Sequence, residues 1–221
     1  MVLEAIIFDL DGTIVNSTEV QWHAFNKYLS QFSVEITWND WTRVYLGWKS
    51  VNIWEMVLEK NNLSISIDHA QKERRKIYNR LVKEGELREI TGFSKFFEWL
   101  KMNFPLTFPI VIASNGHSSS IETSLNSIGY LRKIKYYSAD IDKQRVSKEV
   151  LLKTVVQNID VDPSKCLIFE DSPLGAKAAS KNGIKTVIIN TSNLPKNYFN
   201  VDLIIDDYTS PQLFSFIERV K

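Results

Sequence analysis

Short apolar runs bounded by polar or turn residues alternate along this chain with stretches of helical periodicity. That is the pattern of an α/β fold built on a parallel sheet. Runs over 5–10, 108–113, 165–169, 185–189 and 203–205 read as buried strands, and 93–102, 119–128, 148–157, 173–181 and 211–220 read as helices. The first two strands are separated by far more than one crossover. Residues 17–90 carry helical patterning instead: Trp22, Phe25, Leu29 and Phe32 fall on one helical face, and Ala70, Ile77 and Leu81 form a second stripe. Five of the six tryptophans (Trp22, Trp38, Trp41, Trp48 and Trp54) lie in this segment, and we read them chiefly as packing for a small separate core. The expected organisation is an α/β core of 1–16 and 91–221 interrupted by a helical insert of 17–90. A chain of 221 residues is long enough for both.

In open α/β sheets, ligands bind beyond the carboxyl ends of the strands, so the residues following each apolar run carry the candidate chemistry. The first run ends in Asp9-Leu10-Asp11-Gly12-Thr13. Alternation puts Asp9 and Asp11 on one side, Gly12 permits a tight bend, and a hard divalent cation would relieve the crowding of the two carboxylates. Alone this is weak evidence, because turns after strands are rich in Asp. The second run leads into Ser114-Asn115-Gly116-His117, which offers a hydroxyl and backbone N–H donors to an anion, or simply caps the next helix. A later run ends in Phe169-Glu170-Asp171-Ser172-Pro173. Capping accounts for Ser172 and Pro173 but leaves the acidic pair unexplained. Gly175, Ala176, Ala178 and Ala179 read as a small-residue face packed on the sheet. Acids, then a hydroxyl, then a lysine, then an acidic pair, all at strand ends, form a joint order that chance rarely produces.

Charge and composition narrow the classes. A net charge of +1, from 27 basic and 26 acidic residues, gives no electrostatic footprint for nucleic acid or a membrane surface. The single Cys166 excludes an intrachain disulfide and heads an apolar run, so it is expected to be inert packing. No signal peptide or membrane span is evident, and a cytoplasmic address is the default expectation.

On Asp9-Leu10-Asp11-Gly12-Thr13, Ser114-Asn115 and Glu170-Asp171-Ser172-Pro173 with Gly175 and Ala178-Ala179, the chain resembles the haloacid dehalogenase superfamily in its phosphatase and phosphomutase branch. The resemblance covers essentially the whole chain. It implies a Rossmann-like parallel-sheet core with an inserted α-helical cap like that of the beta-phosphoglucomutase-like subgroup, and Leu46-Gly47-Trp48-Lys49 looks like the cap's specificity loop. It further implies that Asp9 attacks phosphorus and forms an aspartyl-phosphate, and that Asp11 moves protons to and from the leaving oxygen and water. Magnesium would be held by Asp9, the Asp11 carbonyl, Glu170 and Asp171, while Thr13, Ser114 and Asn115 bind the phosphoryl oxygens of a small phosphorylated substrate. Cap residues Trp48, Lys49 and Arg74 suggest an anionic or sugar-like ligand.

The family's lysine usually stands in Gly-Lys-Pro-x-Pro. Here the stretch is Asp142-Lys143-Gln144-Arg145-Val146-Ser147-Lys148-Glu149, without either proline. Lys148 is the expected cation because it opens the predicted helix, with Lys143 and Arg145 as alternatives. A dehalogenase would need neither Asp11 nor the Glu170-Asp171 pair. A catalytically retired binding or regulatory module would not be expected to keep Asp9, Asp11 and Asp171. The nearer rival is a beta-phosphoglucomutase-type mutase, whose first cap helix carries a histidine that restrains the acid/base aspartate. Aligning Asn16-Ser17-Thr18-Glu19 with that helix start puts Gln21 at the histidine's position, so hydrolysis is expected to dominate. Gln21 also fits a Thr18-x-x-Gln21 capping box.

Overall fold

Ala5–Phe8 (β1) runs through the structure fully buried on both faces, as a parallel strand covered by helices on either side must be. The computed structural model describes residues 2–45, 48–141 and 144–221. Five further strands share its sheet: β2 (Ile110–Ser114), β3 (Lys135–Ser138), β4 (Cys166–Glu170), β5 (Lys185–Ile189) and β6 (Leu203–Ile205). Their order is β6-β5-β4-β1-β2-β3, and every neighbouring pair is parallel. The chain winds outward from β1 through β2 and β3, then restarts on the other side with β4. This reversal opens a crevice at the carboxyl ends of β1 and β4.

Among the described residues this unit has five α-helices: α1 (Phe93–Asn103), α2 (Ser118–Ser127), α3 (Lys148–Ile159), α4 (Pro173–Lys181) and α5 (Pro211–Val220). Strand β3 lies outside the runs marked by the hydrophobic pattern. It is a sheet edge of Lys, Tyr, Tyr and Ser, all partly or wholly exposed, and so shows no apolar run. The expected strands over 5–10 and 108–113 settle as Ala5–Phe8 and Ile110–Ser114.

Side-chain alternation along β1 sorts the core into two faces. Ala5 and Ile7 pack with Val111, Ala113, Cys166 and Ile168 against Leu151, Leu152 and Val155 of α3. Burial pushes the Cys166 thiol up to about 12, which leaves it inert. On the opposite face Phe8 stacks on Phe169 at 4.7 Å and meets Phe93 and Phe96 of α1 edge-on. Tyr208, just beyond β6, completes this aromatic cluster.

The chain divides into two compact units, residues 1–16 with 88–221, and residues 17–87. Arg88 and Glu89 fall in the first because they pair antiparallel with Val15 and Asn16, and the Ile90 amide then donates to the Ile14 carbonyl at 2.8 Å. The second unit is built on helices Thr18–Leu29, Ser50–Lys60 and Ile67–Lys83. Its core gathers Phe25, Trp41 and Trp54, with Trp22 packed against them. Trp38 and Trp48 depart from the packing expectation, being 45% and 41% exposed. The Thr18-x-x-Gln21 capping box does not form. Ser17 is the N-cap without a side-chain bond, and the Gln21 side-chain Oε1 accepts from Arg74, whose guanidinium lies over the Phe25 ring. Among the described residues no helix is long and apolar enough to cross a membrane.

The aromatic face sets a stability test. Phe96 is fully buried and touches Phe8, Phe169 and Tyr208. Phe96→Ala should lower the unfolding free energy by about 3–5 kcal/mol in urea titration. Leu106→Ala, at a position 98% exposed, should change it by less than about 0.5 kcal/mol.

Candidate active site

Asp9 continues the line of β1 by one residue, its amide donating to the Phe169 carbonyl at 2.9 Å. Parity along the strand places its side chain on the face of Ala5 and Ile7, the face covered by α3. Lys148 opens that helix, and Ser147 caps it by accepting the Val150 amide. The lysine ammonium donates to Asp9 Oδ1 at 2.5 Å and to the Ala113 carbonyl at 2.7 Å, and pairs with Glu170 Oε1 at 2.9 Å. All three side chains are buried. Burial alone would pull the ammonium's pKa down, but Asp9 and Glu170 outweigh it and the net shift is upward, so Lys148 stays charged.

The carboxylates outnumber their counter-ion. Asp9, Glu170 and Asp171 each bring an oxygen to within 4.8 Å of the others. Burial pushes Asp9 up to about 7 despite Lys148, with Glu170 and Asp11 adding to the rise. Desolvation, then Glu170, Asp9 and Asp11, hold Asp171 well above the usual carboxylate range. Four acids against one ammonium leave a surplus of negative charge, and the available donors are all hard oxygens. Both features fit a divalent cation of the magnesium or calcium type.

Two glycines let these acids stand where they do. Gly12 has φ +75°, and a Cβ there would lie 2.0 Å from Asp171 Oδ2. A Cβ on Gly175 would fall 2.0–2.2 Å from the Glu170 carboxyl atoms. The sequence suggested only helix packing for Gly175; the structure gives it a carboxylate to accommodate. Glu170 Oε2 also accepts from the Ser172 hydroxyl at 3.1 Å, while the Ser172 oxygen caps α4 by accepting the Gly175 amide at 3.0 Å.

The remaining candidates are placed as follows. Asp11 is half-buried in the turn after Asp9, outside the three-acid cluster. Ser114 ends β2 with its hydroxyl accepting the Gly116 amide at 3.0 Å, and Asn115 is exposed beyond it. Thr13 is fully buried, and its hydroxyl has no hydrogen-bond partner among the described residues. Of the alternative cations, Arg145 donates to the Asn115 carbonyl instead of reaching Asp9, and Lys143 lies outside the described residues. So do Leu46 and Gly47 of the expected specificity loop. Lys49 belongs to the helical unit, exposed at the N-cap of Ser50–Lys60.

Comparison with known proteins agrees with this arrangement. The profile of the haloacid dehalogenase-like hydrolases matches residues 6–189. The bifunctional riboflavin kinase/FMN phosphatase of Arabidopsis thaliana is 22% identical over 91% of the chain, which spans only 52% of that protein. The 6-phosphogluconate phosphatase of Escherichia coli is 23% identical over 83% of the chain and 80% of its own length. Among solved structures, CbbY from Rhodobacter sphaeroides in complex with phosphate superposes with a TM-score of 0.82 at 17% identity, covering 94% of this chain and 96% of that one. An acid-bearing turn after the central strand, an acidic pair on its neighbour, and a family match spanning both make this chain a member of the haloacid dehalogenase-like hydrolases.

Proposed function

We propose that the chain is a magnesium-dependent phosphatase that hydrolyses a small phosphorylated metabolite, a sugar phosphate or a phosphoglycolate-like acid, through a phosphorylated Asp9. One observation carries the reading: Asp9 stands at the carboxyl end of the central strand, held by Lys148, beside Glu170 and Asp171. The names of the two relatives support phosphatase chemistry, and that of the 6-phosphogluconate phosphatase supports a sugar-phosphate-like substrate.

In this reading Asp9, the Asp11 carbonyl, Glu170 and Asp171 hold magnesium, which when bound neutralises charge on the transferring phosphoryl group. Lys148 fixes the Asp9 carboxylate by its Oδ1, and as a permanent cation it offsets negative charge between nucleophile and phosphate. An Asp9 oxygen attacks phosphorus while the bond to the leaving oxygen breaks, and the Asp11 carboxyl gives that oxygen its proton. Water then attacks the acyl phosphate, Asp11 takes the water's proton, and Asp9 is released with inorganic phosphate. Ser114 and Asn115 donate to the non-bridging oxygens, and Lys49 in the insert is assigned to the rest of the substrate.

Asp9→Asn should abolish hydrolysis of p-nitrophenyl phosphate while leaving the fold intact, whereas Asp11→Asn should slow turnover by about 10²- to 10⁴-fold. Lys148→Ala should cost far more than Lys143→Ala. Wild-type turnover by Asp9→Asn would end the proposal.

The metal has a readout independent of turnover. The folded, metal-free protein keeps a proton on Asp9 up to about pH 7, while the unfolded chain releases it near the ordinary Asp value. Folding stability from this group is therefore lost as pH rises through that window, and a cation that replaces the proton restores it. Magnesium should raise the melting temperature more at about pH 8 than at about pH 5, and Asp171→Ala should abolish most of the increment. No magnesium shift at the higher pH would remove the metal from the site.

A beta-phosphoglucomutase-type mutase is the second reading. Against it stands Gln21 at the position expected for the restraining histidine, with its side-chain Oε1 engaged by Arg74. With beta-glucose 1-phosphate and catalytic glucose 1,6-bisphosphate, release of inorganic phosphate should exceed formation of glucose 6-phosphate. The reverse ratio would establish the mutase.

A further inference from the structure

The turn that carries Asp11 makes two contacts that neither the strand-end motifs nor the proposed chemistry accounts for. The Thr191 hydroxyl donates to the Gly12 carbonyl at 3.0 Å, and the Tyr208 hydroxyl donates to the Thr13 carbonyl at 3.1 Å. These residues come from the loops after β5 and after β6, at the far side of the sheet from the β1–β2 winding. The Gly12 amide meanwhile donates to the Val15 carbonyl at 2.8 Å. Because a peptide unit is planar, these three bonds orient three consecutive planes, Asp11–Gly12, Gly12–Thr13 and Thr13–Ile14. The Asp11 carbonyl lies in the first of these planes, and the other two fix the turn that follows it.

Both outside donors are themselves braced. Asn190, next to Thr191, is buried and clamps its own loop by bonding the Leu194 amide and carbonyl, each at 3.0 Å. The Tyr208 amide donates to the Thr91 carbonyl at 3.1 Å, beside the point where the chain returns from the insert. The Tyr208 ring is wedged among Phe8, Phe93, Phe96 and Phe169. Burial, with Asp9 and Asp171 nearby, keeps its phenol protonated and hence a donor.

A glycine-containing turn has more backbone freedom than a proton-transfer group can tolerate, since small misplacements of a reacting group cost rate steeply. We propose that Thr191 and Tyr208 are positioning residues that hold the Asp11–Thr13 turn rigid, so that Asp11 stays in line for proton transfer. The role deepens the phosphatase reading and rests on it for its kinetic consequence.

The test uses the full chain with Thr191→Val and Tyr208→Phe, each of which removes the hydroxyl and keeps the bulk. With p-nitrophenyl phosphate and magnesium, kcat should fall about tenfold in each while KM stays within about twofold. Amide hydrogen exchange of the metal-free proteins should accelerate by about tenfold in the peptide spanning residues 10–15 and nowhere else in the sheet. Thr191→Ser, which keeps the hydroxyl, should restore both. Unchanged kcat and exchange in folded variants would overturn the proposal, as would uniform acceleration across the sheet, which marks general destabilisation. If Tyr208→Phe fails to fold, Thr191→Val and its serine rescue decide. If the wild type proves inert toward phosphate esters, the phosphatase reading fails, and exchange alone judges the fastening: local acceleration upholds it and its absence overturns it.

Discussion

A lysine ammonium buried between two carboxylates is the constraint on which the rest of the core's chemistry depends. Removing such charges from water costs several kcal/mol per ion unless the geometry repays it. Here Lys148 is repaid by Asp9, Glu170 and the Ala113 carbonyl, which come from the ends of three adjacent strands. That arrangement holds only if β1, β2 and β4 keep their register, with Ile7 opposite Val111 and Ile168. A one-residue slip of β1 would turn Asp9 toward the aromatic face, where nothing ionic could receive it. The apolar alternation that builds the sheet and the ion pair that occupies its end therefore specify the same register.

The ion pair solves only part of the electrostatic problem. One ammonium cannot neutralise four acids, and burial together with the neighbouring carboxylates holds Asp9 and Asp171 above their usual range. The fold sustains this frustration by removing side chains where the acids need space, at Gly12 and Gly175. Local instability concentrated at a strand end, surrounded by a well-packed core, is what a site prepared for a charged ligand looks like.

Reading strand ends located Asp9, Asp11, Ser114, Glu170 and Asp171, because in a parallel sheet the carboxyl ends are where unpaired chemistry can collect. Lys148 was legible for a different reason: with both motif prolines gone, the helix start was the remaining signal, and the ammonium reaches Asp9 from there. Other features left no trace in a linear pattern. Strand β3 is a half-exposed edge without an apolar run. Trp38 and Trp48 look like core residues by type, but whether an aromatic packs depends on what a helix meets. The Gly175 constraint is a distance to Glu170, which no spacing rule encodes. Thr191 and Gly12 lie 179 positions apart. The strand-end rule would have reached Thr191 and Tyr208 had it been applied beyond β4, although it could not have named the carbonyls they bind.

The paired segments Val15–Asn16 and Arg88–Glu89 bear on how such a chain can change over time. To the sheet, everything from 17 to 87 is the loop of a very large hairpin, entered and left at neighbouring positions. The entropy of closing a loop grows only logarithmically with its length, by about 0.6 kcal/mol for each doubling. An ancestor could lengthen, shorten or exchange the whole helical cassette at little thermodynamic expense to the sheet. Natural selection could then revise that one segment while the ionic arrangement at the end of β1 was inherited intact.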